Sequence, residues 1–344
     1  MLSSWRWLGL GLAWMFSLSN LQQSPVVFPE PALRTLVEDS YRPVGGRPEA
    51  FFGWLEGAYQ RFRSPHEPAT LALRLAAFEQ RVRGCHTLAE RAAAERDASF
   101  WAHGFVKKAL PRFSLQRGFE FRNAEQLGER QCLLQSILIS SMLHSAGVRS
   151  GLAMVYRNEQ GGESNNGHVV ALVQASNGQD FLVDASHLEP LVRHQGLMVR
   201  SERGLCFVQP LYAPAGQAIV GYRTLEGRTV PNVQPLDHRF ALSQVNFYRG
   251  ERTPGGLMEG ALSPQGLQRS AEYFETSLQQ AADNPLPLYS LGRVYERLGN
   301  REKAHDYFER AERLYRHHGW VPLTVVQARQ RTDAATSQRL KVSG

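Results

Sequence analysis

The stretch Glu129-Arg130-Gln131-Cys132-Leu133-Leu134-Gln135-Ser136-Ile137-Leu138-Ile139-Ser140-Ser141-Met142-Leu143-His144-Ser145-Ala146-Gly147 reads as one amphipathic helix over Glu129 to Ala146. Leu133, Leu134, Ile137, Leu138, Met142 and Ala146 recur at three- and four-residue steps and fall on or near one face. Gly147 is placed to stop the helix, because a helix end favours a left-handed residue with no Cβ. Downstream the pattern changes. Gly151 to Arg157, His168 to Gln174 and Asp180 to Ala185 read as strands, punctuated by turns at Gly161-Gly162 and Asn177-Gly178. One helix followed by consecutive antiparallel strands is an α+β pattern.

Three residues in this region suggest chemistry. Cys132 lies in the first turn of the helix, where free N–H groups and a partial positive charge favour a thiolate. The same N–H groups can hold an oxyanion. His168 opens the second strand after the polar Asn165-Asn166-Gly167 loop and suits a general base toward Cys132. Asp184 ends the third strand and suits an orienter of the imidazole. The loop between the two strands decides whether they meet. A two-residue Asn177-Gly178 loop puts His168 and Asp184 on opposite faces. A three-residue Ser176-Asn177-Gly178 loop places Ser186 opposite His168 and makes Asp184 its diagonal neighbour on the same face, and a five-residue loop sets the two directly opposite. Gln131 reads as an exposed residue, with a second oxyanion donor as the alternative.

The flanks are helical. Residues 30–107 carry apolar residues at helical spacing, notably Ala50 to Phe62 and Ala69 to Ala93, and form a helical N-terminal segment. Residues 236–320 contain a repeat. Tyr273-Phe274-Glu275 returns as Tyr307-Phe308-Glu309, and Leu288, Leu291-Gly292, Tyr295, Gly299, Ala304, Phe308 and Ala311 resemble the tetratricopeptide pattern. A damaged earlier copy starts at Phe240 to Gly250 and is interrupted by Pro254-Gly255-Gly256. Two copies are fewer than a free-standing array needs, so these helices are expected to dock on the central unit, where their surface offers a place for a protein partner. Residues 321–344 form a tail.

At the other end, Arg6 precedes the apolar run Trp7 to Leu18, and Ser17-Leu18-Ser19 is a small-x-small site. Residues 1–19 therefore read as a signal peptide, which makes the protein exported, periplasmic or extracellular. Left uncleaved, this segment is its one membrane contact. The chain of 344 residues is 42% hydrophobic and 21% charged, which suits a globular protein over a disordered one. Its net charge of +7 comes from Arg spread among acids, not from a basic patch, which argues against a nucleic-acid partner. The cysteines Cys85, Cys132 and Cys206 have no CxxC spacing, so a zinc or dithiol motif is unsupported. Cys85 and Cys206 are either a disulfide or two buried small side chains. His317-His318 and Cys85-His86 lack ligand geometry, and neither a metal nor a cofactor is assigned.

The run Asn123-Ala124-Glu125-Gln126-Leu127, Cys132 with Ser136 and Leu138, Met142-Leu143 with Ala146-Gly147-Val148, Asn166-Gly167-His168 and Phe181-Leu182-Val183-Asp184 resembles the transglutaminase-like superfamily over roughly residues 110–190. The resemblance implies a papain-like core, helix plus antiparallel sheet, over residues 108–235. By position it makes Cys132 the nucleophile, His168 the base and Asp184 its orienter. The expected activity is acyl transfer from, or hydrolysis of, peptide or amide bonds in a peptide or protein substrate, through a Cys132 thioester. The alternative is an inactive scaffold that binds a peptide or protein through its groove and repeats. The sequence departs from the family at Arg130, which stands where a glycine is usual, at Val169-Val170-Ala171 after the histidine, and at Asp184-Ala185-Ser186.

Overall fold

A computed structural model describes residues 31–342, and the signal-peptide reading of residues 1–19 lies outside them. Four helices lead in: α1 Pro31–Tyr41, α2 Glu49–Phe62, α3 Leu71–Arg83 and α4 Leu88–Ala109. The stretch expected to be helical from Ala69 to Ala93 breaks at Gly84-Cys85-His86. Thr87 then restarts it with a capping box, accepting from the Glu90 N–H while the Glu90 carboxylate takes the Thr87 N–H. Next come β1 Arg112–Phe113, α5 Phe121–Leu127, β2 Glu129–Arg130 and α6 Cys132–Ser145.

Helix α6 differs from its expectation in two ways. It starts at Cys132, because Glu129 and Arg130 are drawn into a parallel pairing with Arg112 and Phe113. It also has no solvent face: every residue from Leu133 to Leu143 is buried, the polar ones included. The helix runs through the middle of the molecule, with α4 and α3 on one side and a sheet on the other. Its serines join it to that sheet. Ser136 Oγ donates to Val169 O and Ser140 Oγ to Gly151 O, each at 3.0 Å. Gly147 ends it as expected, at φ +73°, with the Val148 N–H returning to Leu143 O at 2.9 Å.

The sheet has seven antiparallel strands, β3 Ser150–Arg157, β4 Glu163–Val173, β5 Phe181–Val183, β6 Leu191–Val192, β7 Gly196–Ser201, β8 Gly204–Tyr212 and β9 Ile219–Arg223, in the order β6-β5-β4-β3-β7-β8-β9. Only the first three were expected. Alternate residues serve two cores. Met154, Val169, Ala171, Val183, Met198 and Phe207 join the large core shared with the helices. Val155, Val170, Leu172, Leu182, Val199 and Val208 fill a second core with Ile219, Tyr222 and Val233. The sheet curls around this second core, and its two edges meet where the Ile219 N–H donates to Asp180 O at 2.7 Å.

The C-terminal helices are α7 His238–Glu251, α8 Pro264–Gln280, α9 Leu286–Arg297, α10 Arg301–His317 and α11 Leu323–Val342. A Cβ on Gly250 would sit 2.6 Å from the Phe274 ring, and one on Gly292 would sit 2.5 Å from Phe308. The pairs α7–α8 and α9–α10 therefore close in the same way, with a longer turn in the first pair. The repeats do dock. Trp320, Tyr315, Tyr156 and Phe207 form an aromatic cluster against the sheet, with Trp320 4.8 Å from Tyr156 and 5.1 Å from Phe207 between ring centres. Arg249 on α7 is buried against Asp39 of α1 and Glu120 beside α5, at 2.6 and 2.7 Å. All three cysteines are free thiols, so Cys85 and Cys206 are not bridged. Among the described residues, no helix is long and apolar enough to cross a membrane.

Candidate active site

Cys132 owes its place to the segment before it. Gly128 ends α5 in the left-handed region at φ +65° and turns the chain into β2. Arg117 clamps Glu129 with two hydrogen bonds, of 3.1 and 2.6 Å. Gly118 lies so close to the Arg130 carbonyl that no Cβ fits there. Gln131 then stays extended and leaves the first N–H groups of α6 without a side-chain cap, and the helical bonding starts from Gln135 N–H to Gln131 O. Cys132 is thus the first residue of a helix whose positive end is free, which favours an anion on its sulfur or beside it.

His168 does not open a strand. It lies inside β4, opposite Val155 at a bulge, and Gly167 next to it has no room for a Cβ against the Val155 carbonyl. The β4–β5 register pairs Ala171 with Val183 and Val173 with Phe181. That is the pairing of the three-residue Ser176-Asn177-Gly178 loop, with Gly178 left-handed at φ +76°. Glu95 of α4 holds this loop by accepting from the Ser176 N–H and hydroxyl. Asp184 follows directly after β5 and is the diagonal neighbour of His168. The His168 Nε2 donates to Asp184 Oδ2 at 2.6 Å, and Asp184 Oδ1 accepts the Ser186 N–H at 2.8 Å.

The electrostatics follow from this geometry. Burial opposes a charge on His168, but the hydrogen bonds to Asp184 and Cys132, with their negative charges, outweigh it and raise its pKa to about 10. Burial likewise opposes ionisation of Asp184. Hydrogen bonding from His168, the nearby His194 ring and the Ser186 N–H, with attraction to the His168 charge, still holds its carboxyl well below the usual carboxylate range. With Nε2 engaged by Asp184, Nδ1 is the imidazole nitrogen left for Cys132. The three residues expected to act together are brought together.

Other neighbours carried no clear signal. Arg130 is half-buried. Burial lowers its pKa, against the attraction of Asp184 and Cys132, so a guanidinium sits within the field of both. Tyr248 of α7 is fully buried, and burial together with the Cys132 charge pushes its hydroxyl above the ordinary range, which brings α7 up to Cys132. Gln131 is buried, not exposed as expected, at 4% exposure and with Oε1 lacking a partner. His194, between β6 and β7, is 3.9 Å from Asp184 Oδ2, and its ring centre is 5.8 Å from that of His168. Arg130 and Gln131 could have been suspected from their adjacency to Cys132. His194 and Tyr248 are distant in sequence and no motif marks them. The loop after Asp184 is tied to α4, where Lys107 Nζ donates to His187 O at 2.6 Å.

Residues 285–318 match the tetratricopeptide repeat family model, the α9–α10 pair. Repeats of this kind generally mediate protein–protein contacts. Neither the curated proteins nor the solved structures contain a match to the chain.

Proposed function

We propose that the chain is a transglutaminase-like cysteine enzyme with a papain-like core, which transfers or hydrolyses the acyl group of a peptide or amide through a thioester on Cys132. The observation that carries this reading is the relay from Cys132 to His168 to Asp184, with 2.6 Å between the last two. Cys132 Sγ attacks the carbonyl carbon. The oxyanion falls beside the free N–H groups of α6, with the Gln131 amide and the Arg130 guanidinium as further donors. His168 gives its Nδ1 proton to the leaving amine, and the tetrahedral adduct collapses to the thioester. Water then attacks with His168 as base, releasing the acid and restoring the thiol; an amine in place of water gives transfer. Hydrolysis is the favoured outcome. The protein is read as exported, and the repeats as a docking surface for a protein partner.

A second reading has one observation behind it. Arg130 stands where the family's glycine is usual, with its guanidinium donating to Gln135 Oε1 at 3.2 Å, a departure expected of a silent scaffold. The pH dependence of Cys132 alkylation by iodoacetamide separates the two, in a Cys85→Ser/Cys206→Ser background. Labelling well below the ~8.5 of a free thiol, lost in His168→Ala, supports the enzyme. Labelling like an ordinary thiol and indifferent to His168→Ala puts the scaffold first.

A further inference from the structure

His194 has no role in the acyl-transfer steps, yet its side chain is almost wholly enclosed. It is 3% exposed, and neither ring nitrogen makes a hydrogen bond of normal length, Asp184 Oδ2 standing 3.9 Å from Nε2. A buried imidazole with two unpaired nitrogens costs free energy unless something else pairs with it. The ligand-capable atoms of His168, Asp184 and His194 all lie within 4.8 Å of one another. We infer that these three side chains form a site for Zn2+ or a similar divalent transition metal, set behind the His168 imidazole on the side away from Cys132.

The donor set and spacing fit. Two imidazoles and one carboxylate with an open fourth position is a common zinc arrangement. Ligand bonds of about 2.0–2.1 Å in a tetrahedron separate the donor atoms by about 3.3 Å. The present spacings are 2.6 Å between His168 Nε2 and Asp184 Oδ2 and 3.9 Å between His194 Nε2 and Asp184 Oδ2. One must open and the other close, each by under about 1 Å, and the His168–His194 pair, within 4.8 Å, must close by up to about 1.5 Å on this geometry. Asp184 Oδ1 is already committed to the Ser186 N–H, which leaves Oδ2 for the metal. The His168 side chain is 28% exposed, so the site has a route to solvent.

The consequence is regulatory. The metal takes the place of the proton that His168 Nε2 shares with Asp184, and that proton leaves to solvent. The imidazole then carries only the Nδ1 proton and no longer alternates between one proton and two. The metal-loaded protein cannot use His168 as a general base. The existence of the site does not depend on acyl transfer, whereas this consequence rests on that reading.

The test is calorimetric titration of Zn2+ into the untagged full chain carrying Cys85→Ser and Cys206→Ser, at pH 7 in two buffers of different ionisation heat. The expected result is one ion per chain with about one proton released. His194→Gln should weaken binding by roughly tenfold or more, and Cys132→Ser should not abolish it. Co2+ in the histidine-intact protein should give a four-coordinate ligand-field spectrum without a thiolate charge-transfer band, a readout that needs no folded variant. No saturable binding, equal affinity in His194→Gln (metal on His317 and His318 instead), or loss in Cys132→Ser would overturn the site. Iodoacetamide labelling of the metal-free protein reports on the Cys132–His168 pair alone, so either reading can fail while the other stands.

Discussion

Asp184 is the residue on which the charge state of the site turns. Its Oδ2 supports a positive charge on the His168 imidazole, the group proposed to act on Cys132. In Asp184→Asn the His168 pKa falls from about 10 toward the ordinary ~6.5, and the proposed ion pair with Cys132 weakens. Alkylation of Cys132 at pH 6–7 should slow by roughly tenfold or more, measured as a pH–rate profile against the parent. The pair also marks the stability curve. His168 has a raised folded pKa, so its contribution is complete below about pH 6.5 and is lost as pH rises toward 10. Asp184 has a lowered one, so its contribution is complete above about pH 4 and is lost at lower pH. The difference in melting temperature between the parent and His168→Ala should therefore shrink from pH 6 to pH 10. A constant difference would show that the imidazole is not charged in the folded state.

At the scale of elements, the two helix pairs of the repeat depend on glycine in a way opposite to helix propensity. Alanine is the better helix former by roughly 1 kcal/mol. At Gly250 and Gly292 the added methyl would meet Phe274 and Phe308 at 2.6 and 2.5 Å, inside two fully buried ring contacts. Gly250→Ala and Gly292→Ala should each destabilise by about 1–3 kcal/mol in urea unfolding. Much of this level was legible beforehand. Gly292 and Phe308 were visible as repeat positions because the spacing is local and recurrent. The β4–β5 register could be enumerated from loop length, and Gly178 decided among the options by taking the left-handed conformation. The strands β7 to β9 were missed, although Leu205, Phe207 and Leu211 alternate along β8. Their partners are other strands of the sheet, and its curl is set by the meeting of Asp180 with Ile219.

At the scale of the molecule, one hydrophobic core runs from Leu33 to Val325 and includes the lead-in helices, one side of the sheet and the repeats. Arg249 joins α7 to the lead-in helix α1 and to the segment before α5. Its guanidinium is 8% exposed and is paired with Asp39 and Glu120. Arg249→Met should cost about 3–5 kcal/mol, because two acids are left without their cation in a buried place. Adding Glu120→Gln should recover part of that loss, and urea titration of the single and double variants measures it. The same docking carries Tyr248 to Cys132, so loosening α7 should also slow Cys132 alkylation relative to the parent.

The sequence by itself determined what depends on near neighbours: the central helix and its glycine stop, the first three strands, the repeat, and the set Cys132, His168 and Asp184. These are properties of spacing, and spacing along a chain is converted directly into a helix face or a strand pairing. Only the tertiary structure decided that α6 is buried on every side, that Gln131 is buried, that the thiols of Cys85 and Cys206 stay apart, and that His194 and Tyr248 lie beside Cys132, His168 and Asp184. Those outcomes depend on which distant segments share one core. Burial and charge act through space, so nothing in the local order of residues specifies them.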